Sequence, residues 1–136
     1  MSKVFIDTSI IVYSQDRRFP KKQQRAIERI AELFNAGNGV VSTQVIQEYA
    51  ATALTKLGQK PDVVLHILYL LENFEVMRQT LGMIRRAVEL KSLYSIQFWD
   101  ACIIANAEMT GCSIILTEDL NTTRFYSGIR VINPFA

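Results

Sequence analysis

The chain has 136 residues, 49% of them hydrophobic and 21% charged, which suits one domain with a real core and excludes wholesale disorder. Its 15 Lys+Arg and 13 Asp+Glu leave a net charge of +2, a balance that selects no partner by itself. No apolar run reaches the roughly 18 residues a membrane span needs, Asp7 interrupts the N-terminal apolar stretch where a signal peptide requires continuity, and two cysteines make no disulfide framework.

The first predicted element is a short apolar strand, Lys3–Ile6, punctuated by Asp7. Thr8 and Ser9 are suited to cap a short helix over Ile10–Ser14. A basic polar loop, SQDRRFPKK, leads into a helix around Gln23–Asn35, with Ala26, Ile27, Ile30, Ala31, Leu33 and Phe34 as its core-facing stripe. Gly37 and Gly39 end it. Gly39–Val41 reads as a second strand, after which Ser42 or Thr43 caps a helix to about Leu57. Gly58 and Pro61 bracket a turn, and Pro61 suits the first turn of a helix over Pro61–Glu72. Phe74–Met77 is a candidate strand, Thr80–Leu93 an amphipathic helix, and Ile96–Met109 a further helix stopped by Gly111. Ser113–Leu116 is a strongly apolar strand, and Arg130–Ile132 a final one.

Strands thus alternate with helices, and the strands lack a clean period of two. That pattern indicates an α/β domain spanning residues 1–136, with a mainly parallel sheet covered on both faces. The buried contexts of Cys102 and Cys112 point to structural thiols. The single histidine, His66, removes a His-rich metal site and makes a Ser-His-Asp triad improbable. The expected location is the cytoplasm, with no membrane partner.

Ligands of parallel sheets bind beyond the carboxyl ends of the strands. Asp7 follows the first strand, and Asp119 follows the apolar strand after Thr117 and Glu118. Either acid alone serves equally well as a cap of the next turn. Asp100 is different. It sits in FWDACIIANA, with Ile96, Gln97, Ile103 and Ile104 as its helical neighbours and Lys91 as the nearest upstream cation. A carboxylate buried there without a partner costs several kcal/mol or becomes neutral. A bound cation is one economical compensation; the structural alternative is a distant salt bridge or backbone hydrogen bonds. Glu48, in STQVIQEYAATAL, lies at the margin of an apolar helix face and by itself reads as solvated. Taken together, four oxygen donors without His or Cys suit Mg²⁺ or Mn²⁺. Such ions serve phosphoryl transfer. Crowding also predicts raised carboxylate pKa values in the metal-free protein. With four acids assigned to a metal site, 15 cations face nine remaining acids, a surface of +6 that attracts a polyanion.

These stretches resemble PIN-domain ribonucleases, and among them the VapC-type toxins of toxin–antitoxin pairs. The resemblance is carried by VFIDTSIIVY, STQVIQEYA, SIQFWDACIIANAEMTGCSIILTEDLN and VINPFA, spread over nearly the whole chain. It implies a three-layer α/β/α fold and metal-dependent RNA cleavage giving a 3′-hydroxyl and a 5′-phosphate. It places the family's acidic quartet on Asp7, Glu48, Asp100 and Asp119, its small polar residue on Ser9 and its Ser/Thr before the last acid on Thr117. It also implies a homodimer and a cognate antitoxin whose C-terminal segment fills the site groove. On this reading Asp7, Asp100 and Asp119 bind the metal directly or through water. Glu48 serves a second metal or the attacking water. Thr117 and Asn121 contact water or phosphate. Whether Glu118 or Asp119 faces the metal is open, the motif favouring Asp119.

Arg17, Arg18, Lys21, Lys22 and Arg25 form a basic cluster after the first motif. Arg17 and Arg18 are candidates to hold RNA phosphates, against the plain reading of a solvated loop. Arg85, Arg86 and Lys91 form a second basic stretch with a weaker claim. Tyr94, Phe98, Trp99 and Phe125 are candidates for base stacking, with core packing expected for Phe98 and Trp99. Two other readings compete: a PIN-fold RNA- or protein-binding module without turnover, and a phosphoacceptor or phosphatase with an aspartyl nucleophile. The second requires paired acids after the first strand, where the sequence has Asp7-Thr8-Ser9.

Overall fold

The structure, a computed structural model, describes residues 2–121 and 124–136. Twelve elements follow in the order β1 (Lys3–Ile6), α1 (Thr8–Ser14), α2 (Pro20–Ala36), β2 (Gly39–Ser42), α3 (Thr43–Leu54), α4 (Pro61–Leu71), β3 (Glu75–Met77), α5 (Leu81–Tyr94), α6 (Phe98–Met109), β4 (Cys112–Leu116), β5 (Phe125–Tyr126) and β6 (Ile129–Ile132). The sheet order is β3-β2-β1-β4-β6-β5. Every pairing is parallel except the short β5–β6 hairpin.

The chain leaves β1 toward β2 and β3, then returns past β1 to β4. Right-handed crossovers in opposite directions put helices on opposite faces. Accordingly α1 packs on α2 and α3, and α3 on α4, while α5 packs on α6. The expected layered α/β fold with a mostly parallel sheet is the one observed. The core lies between sheet and helices, and includes Phe5, Ile6, Ile10, Val40, Val41, Tyr49, Ile104, Ile115 and Leu116. No helix among the described residues is long and apolar enough to cross a membrane.

Several expectations are corrected. Helix α1 begins at Thr8, and its cap is Asp7, whose side chain accepts the Thr8 N–H at 2.7 Å. Helix α2 begins at Pro20, where the ring's fixed φ suits the first turn. Its apolar stripe is only half used: Ala26 and Leu33 are buried, but Ile27 and Phe34 are about half exposed. With Ile30, Ile67 and Leu70 they line an apolar groove of about 370 Å³ between α2 and α4. Helix α3 stops at Leu54, and α6 starts at Phe98, after Ser95 takes a left-handed conformation at φ 54°. The β5–β6 hairpin has too few residues in β5 to give a periodic signal, though Tyr126 is buried. Trp99, expected in the core, is 63% exposed. Gly39 has a steric reason: a Cβ there would lie 2.7 Å from the Phe74 ring.

Candidate active site

The direction of chain progression reverses between β1 and β4, and such a switch point leaves a crevice at the carboxyl ends of the two strands. Asp7 leaves β1 there, with its N–H bonded to the Leu116 carbonyl at 3.0 Å. Thr117 leaves β4 beside it, its N–H bonded to Ile132 at 3.1 Å. The Thr117 hydroxyl donates to Asp7 Oδ2 at 2.6 Å and accepts the Asp119 N–H at 3.0 Å. One threonine therefore couples two acids that are far apart in sequence.

Asp7 is buried, and its carboxyl is pushed up from 3.8 to about 7. Burial is the main cause. The Thr117 and Thr8 hydrogen bonds oppose it, and the Asp119 and Glu48 charges add to it. Glu48, one turn into α3, accepts from the Thr8 hydroxyl at 2.9 Å. Asp100, in the first turn of α6, is half-buried; burial raises its carboxyl pKa, and the Asp119 charge adds to that. Asp119 sits at the open rim, its carboxyl raised by partial burial and by the adjacent Glu118 charge. The expected rise in carboxylate pKa is thus present in Asp7, Asp100 and Asp119, with burial as its larger cause and neighbouring charge adding to it.

Two clefts meet over these acids, and both are lined by Glu48 and Asp119. One, of about 640 Å³, continues over Asp100, Asn121, Trp99 and Arg124. The other, of about 410 Å³, continues over Thr8, Ser9, Arg18, Phe19 and Lys56. Ser9 faces inward, its hydroxyl accepting the Glu118 N–H at 3.3 Å. Glu118 has partners of its own. Its carboxylate meets Lys22 Nζ at 2.6 Å and the Tyr13 hydroxyl at 2.9 Å. The two neighbouring acids therefore have different surroundings: Glu118 is paired with a cation at the wall of the second cleft, whereas Asp119 lines both clefts.

The basic residues divide similarly. Arg18 lines the second cleft but forks onto buried Asp16, at 2.9 and 2.8 Å. Arg17 is exposed and lies in an adjoining pocket with Lys56, away from the acids. Lys22 is paired with Glu118, Arg25 donates to the Pro134 carbonyl, and Arg86 holds Glu108. The cluster that looked free in sequence is largely engaged in holding the fold. Thr8, Lys56 and Arg124 belong to the clefts without having been expected there. Only the strand-end position of Thr8 offered a signal.

Among the described residues, no three His, Cys, Asp or Glu side chains stand close enough to form a finished metal cage. The donor set is nonetheless all oxygen and rich in uncompensated charge. It fits an ion that keeps much of its water and takes one or two carboxylates, as Mg²⁺ does.

The PIN domain family model matches residues 4–127. No protein of curated function matches the sequence. Among solved structures, the chain is similar to a toxin–antitoxin complex from Klebsiella pneumoniae, with TM-score 0.69, 21% identity, and 98% of each chain covered. It is similar to the DNA-bound VapBC of Salmonella typhimurium, with TM-score 0.72 and 17% identity, over 98% of this chain and 99% of that one. It is also similar to Mycobacterium tuberculosis VapC20, a toxin that cleaves the sarcin-ricin loop. There the TM-score is 0.67 and the identity 18%, over 94% of this chain and 99% of that one.

Proposed function

Because this chain belongs to the PIN-domain family, we propose that it is an Mg²⁺- or Mn²⁺-dependent endoribonuclease and the toxin of a VapBC-type toxin–antitoxin pair. The observation that carries the reading is the convergence of Asp7, Glu48, Asp100 and Asp119 on the β1–β4 switch point, with Asp7 buried and held by Thr117.

Asp7, Asp100 and Asp119 are assigned as metal ligands, directly or through water. An ion held there polarises the phosphoryl group and acidifies the attacking water. Thr117 fixes the rotamer of Asp7 and, through the Asp119 N–H, the entry of the loop that carries Asp119. Glu48 is positioned by Thr8 to orient the attacking water or a second ion. Ser9 and Asn121 face the clefts where phosphate oxygens would lie, and Arg17 and Arg18 attract the strand at its periphery.

The solved relatives include toxin–antitoxin complexes, and the apolar α2–α4 groove suits an apolar antitoxin segment. Exposed Leu81, Ile84 and Val88 recur at helical spacing on α5, as a homodimer face would require. Cytoplasmic action follows from an RNA target.

The test is cleavage of labelled RNA by purified protein with Mg²⁺ or Mn²⁺, with chelator, and by Asp100→Asn. Chelation abolishes cutting, and the substitution lowers it at least about a hundredfold. Cutting that survives both sinks the mechanism. RNA binding with no cutting under any metal favours the non-catalytic module instead. A small DNA-binding protein encoded immediately upstream supports the toxin assignment.

A further inference from the structure

Among the described aromatic side chains that line the two clefts, Trp99 is the most exposed. It is 63% exposed and precedes Asp100 in the first turn of α6. It lines the same cleft as Glu48, Asp100 and Asp119. An indole at a cleft wall offers a broad apolar face with a polar N–H edge, the combination enriched at binding surfaces.

Its position is also fixed. The Trp99 carbonyl accepts from the Gln44 side chain at 3.3 Å, and Gln44 accepts in turn from Asn106 at 3.2 Å. Both amides are buried. The indole rests edge-on against Phe98, with centroids 5.4 Å apart. The same cleft holds a cation, Arg124, seated over the Tyr94 and Tyr126 rings at 5.2 Å from each. An anchored aromatic face and a cation in one cleft next to a carboxylate cluster match one nucleotide: a base on the ring, a phosphate toward the cation.

We infer that Trp99 is the stacking platform for an unpaired base next to the scissile phosphate, and the residue through which this site senses strand state. This rests on the nuclease reading above. Paired bases in an A-form helix are stacked on their neighbours and cannot offer a face to the ring, whereas a splayed base in a loop can. Trp99 thus discriminates by strand state rather than by sequence, since every base has a π-face.

Trp99 is the only tryptophan in the chain, so its emission reports the contact directly. The experiment uses the full chain in the Asp100→Asn background with Mg²⁺, titrated with a short mixed-sequence single-stranded RNA and with the same strand in a duplex. The single strand quenches the emission, and the duplex at equal phosphate concentration leaves it nearly unchanged. Trp99→Ala weakens single-strand binding by about fivefold to a hundredfold, without changing the slope of log affinity against log salt. Trp99→Phe retains most of the affinity. Equal quenching by the duplex, or unchanged affinity in Trp99→Ala, overturns the assignment while leaving the nuclease reading intact. Emission that responds to protein concentration but not to RNA assigns Trp99 to an interface between copies, which also overturns it. If the wild-type chain neither binds nor cuts RNA, the nuclease reading itself falls.

Discussion

Replacing Asp7 by Asn isolates the electrostatic cost of the site. The Asp7 carboxyl stands at about 7 in the folded chain against an ordinary 3.8. Between those values the folded state holds a proton that the unfolded state has lost. Stability is therefore greatest below about pH 4 and falls as the pH rises to about 7. At about 1.4 kcal/mol per pH unit, the full effect is about 4 kcal/mol, of which roughly 3 falls between pH 5 and pH 8. Relaxation and water entry soften burial penalties, so about 2 kcal/mol is the working value. Asp100 and Asp119 are shifted in the same direction and add to the slope. Asp16 and Glu108 are shifted downward by Arg18 and Arg86, so their contribution is lost only in stronger acid.

Urea unfolding of metal-free protein should accordingly show greater stability at pH 5 than at pH 8. Asn preserves the shape, can accept the Thr8 N–H and carries no charge. Asp7→Asn should therefore be the more stable protein at pH 8 and should lose most of the pH dependence. Saturating Mg²⁺ or Mn²⁺ should stabilise the wild type at pH 8, by about 2.7 kcal/mol at a hundredfold excess over Kd, and should do little for Asp7→Asn. A wild-type chain equally stable at both pH values, or an Asn variant that keeps the slope, would show that Asp7 carries no such cost.

Further substitutions probe the surroundings. Arg17→Ala should weaken RNA binding and make its log–log salt dependence shallower by about one, whereas Arg18→Ala should lower stability because Asp16 loses its partner; an unchanged salt slope in the first rejects a phosphate contact. Lys22→Met leaves Glu118 without its cation beside Asp119, and should lower cleavage more than Glu118→Gln does, although the solvent-screened pair itself adds little to the stability of the fold. Equal activities in the two variants would show that the pair does not position the loop. Gly39→Ala should cost about 2 kcal/mol in thermal or urea unfolding because its methyl meets the Phe74 ring, and a smaller side chain at Phe74 should relieve part of that cost.

Much of the fold was legible along the chain because periodicity, caps and breakers act locally. The strands at Lys3–Ile6 and Cys112–Leu116 announced themselves as apolar runs, and the helices by their spacing and their Pro and Gly boundaries. The same local signals set Asp7 and Asp119 at strand ends and Asp100 in an apolar helix. What they could not supply was the partner of each group. Phe34 and Trp99 look like core residues because a one-dimensional pattern records hydrophobicity, while burial depends on which element arrives to cover it; Ile27, Phe34 and Trp99 are left about half exposed or more.

The choice between Glu118 and Asp119 shows the division most clearly. The two acids are adjacent and alike, so no reading of the sequence separates them except by resemblance. The tertiary structure separates them by bringing Lys22 and Tyr13, from around α1 and α2, against one and leaving the other at the cleft. An α/β chain with acids after its strands could be read along the sequence, because those features follow from neighbours in the chain. The sheet order alone decided that β1 and β4 lie side by side, and hence that Thr117 bonds Asp7 across 110 positions and raises an acidic cluster where the strand order reverses.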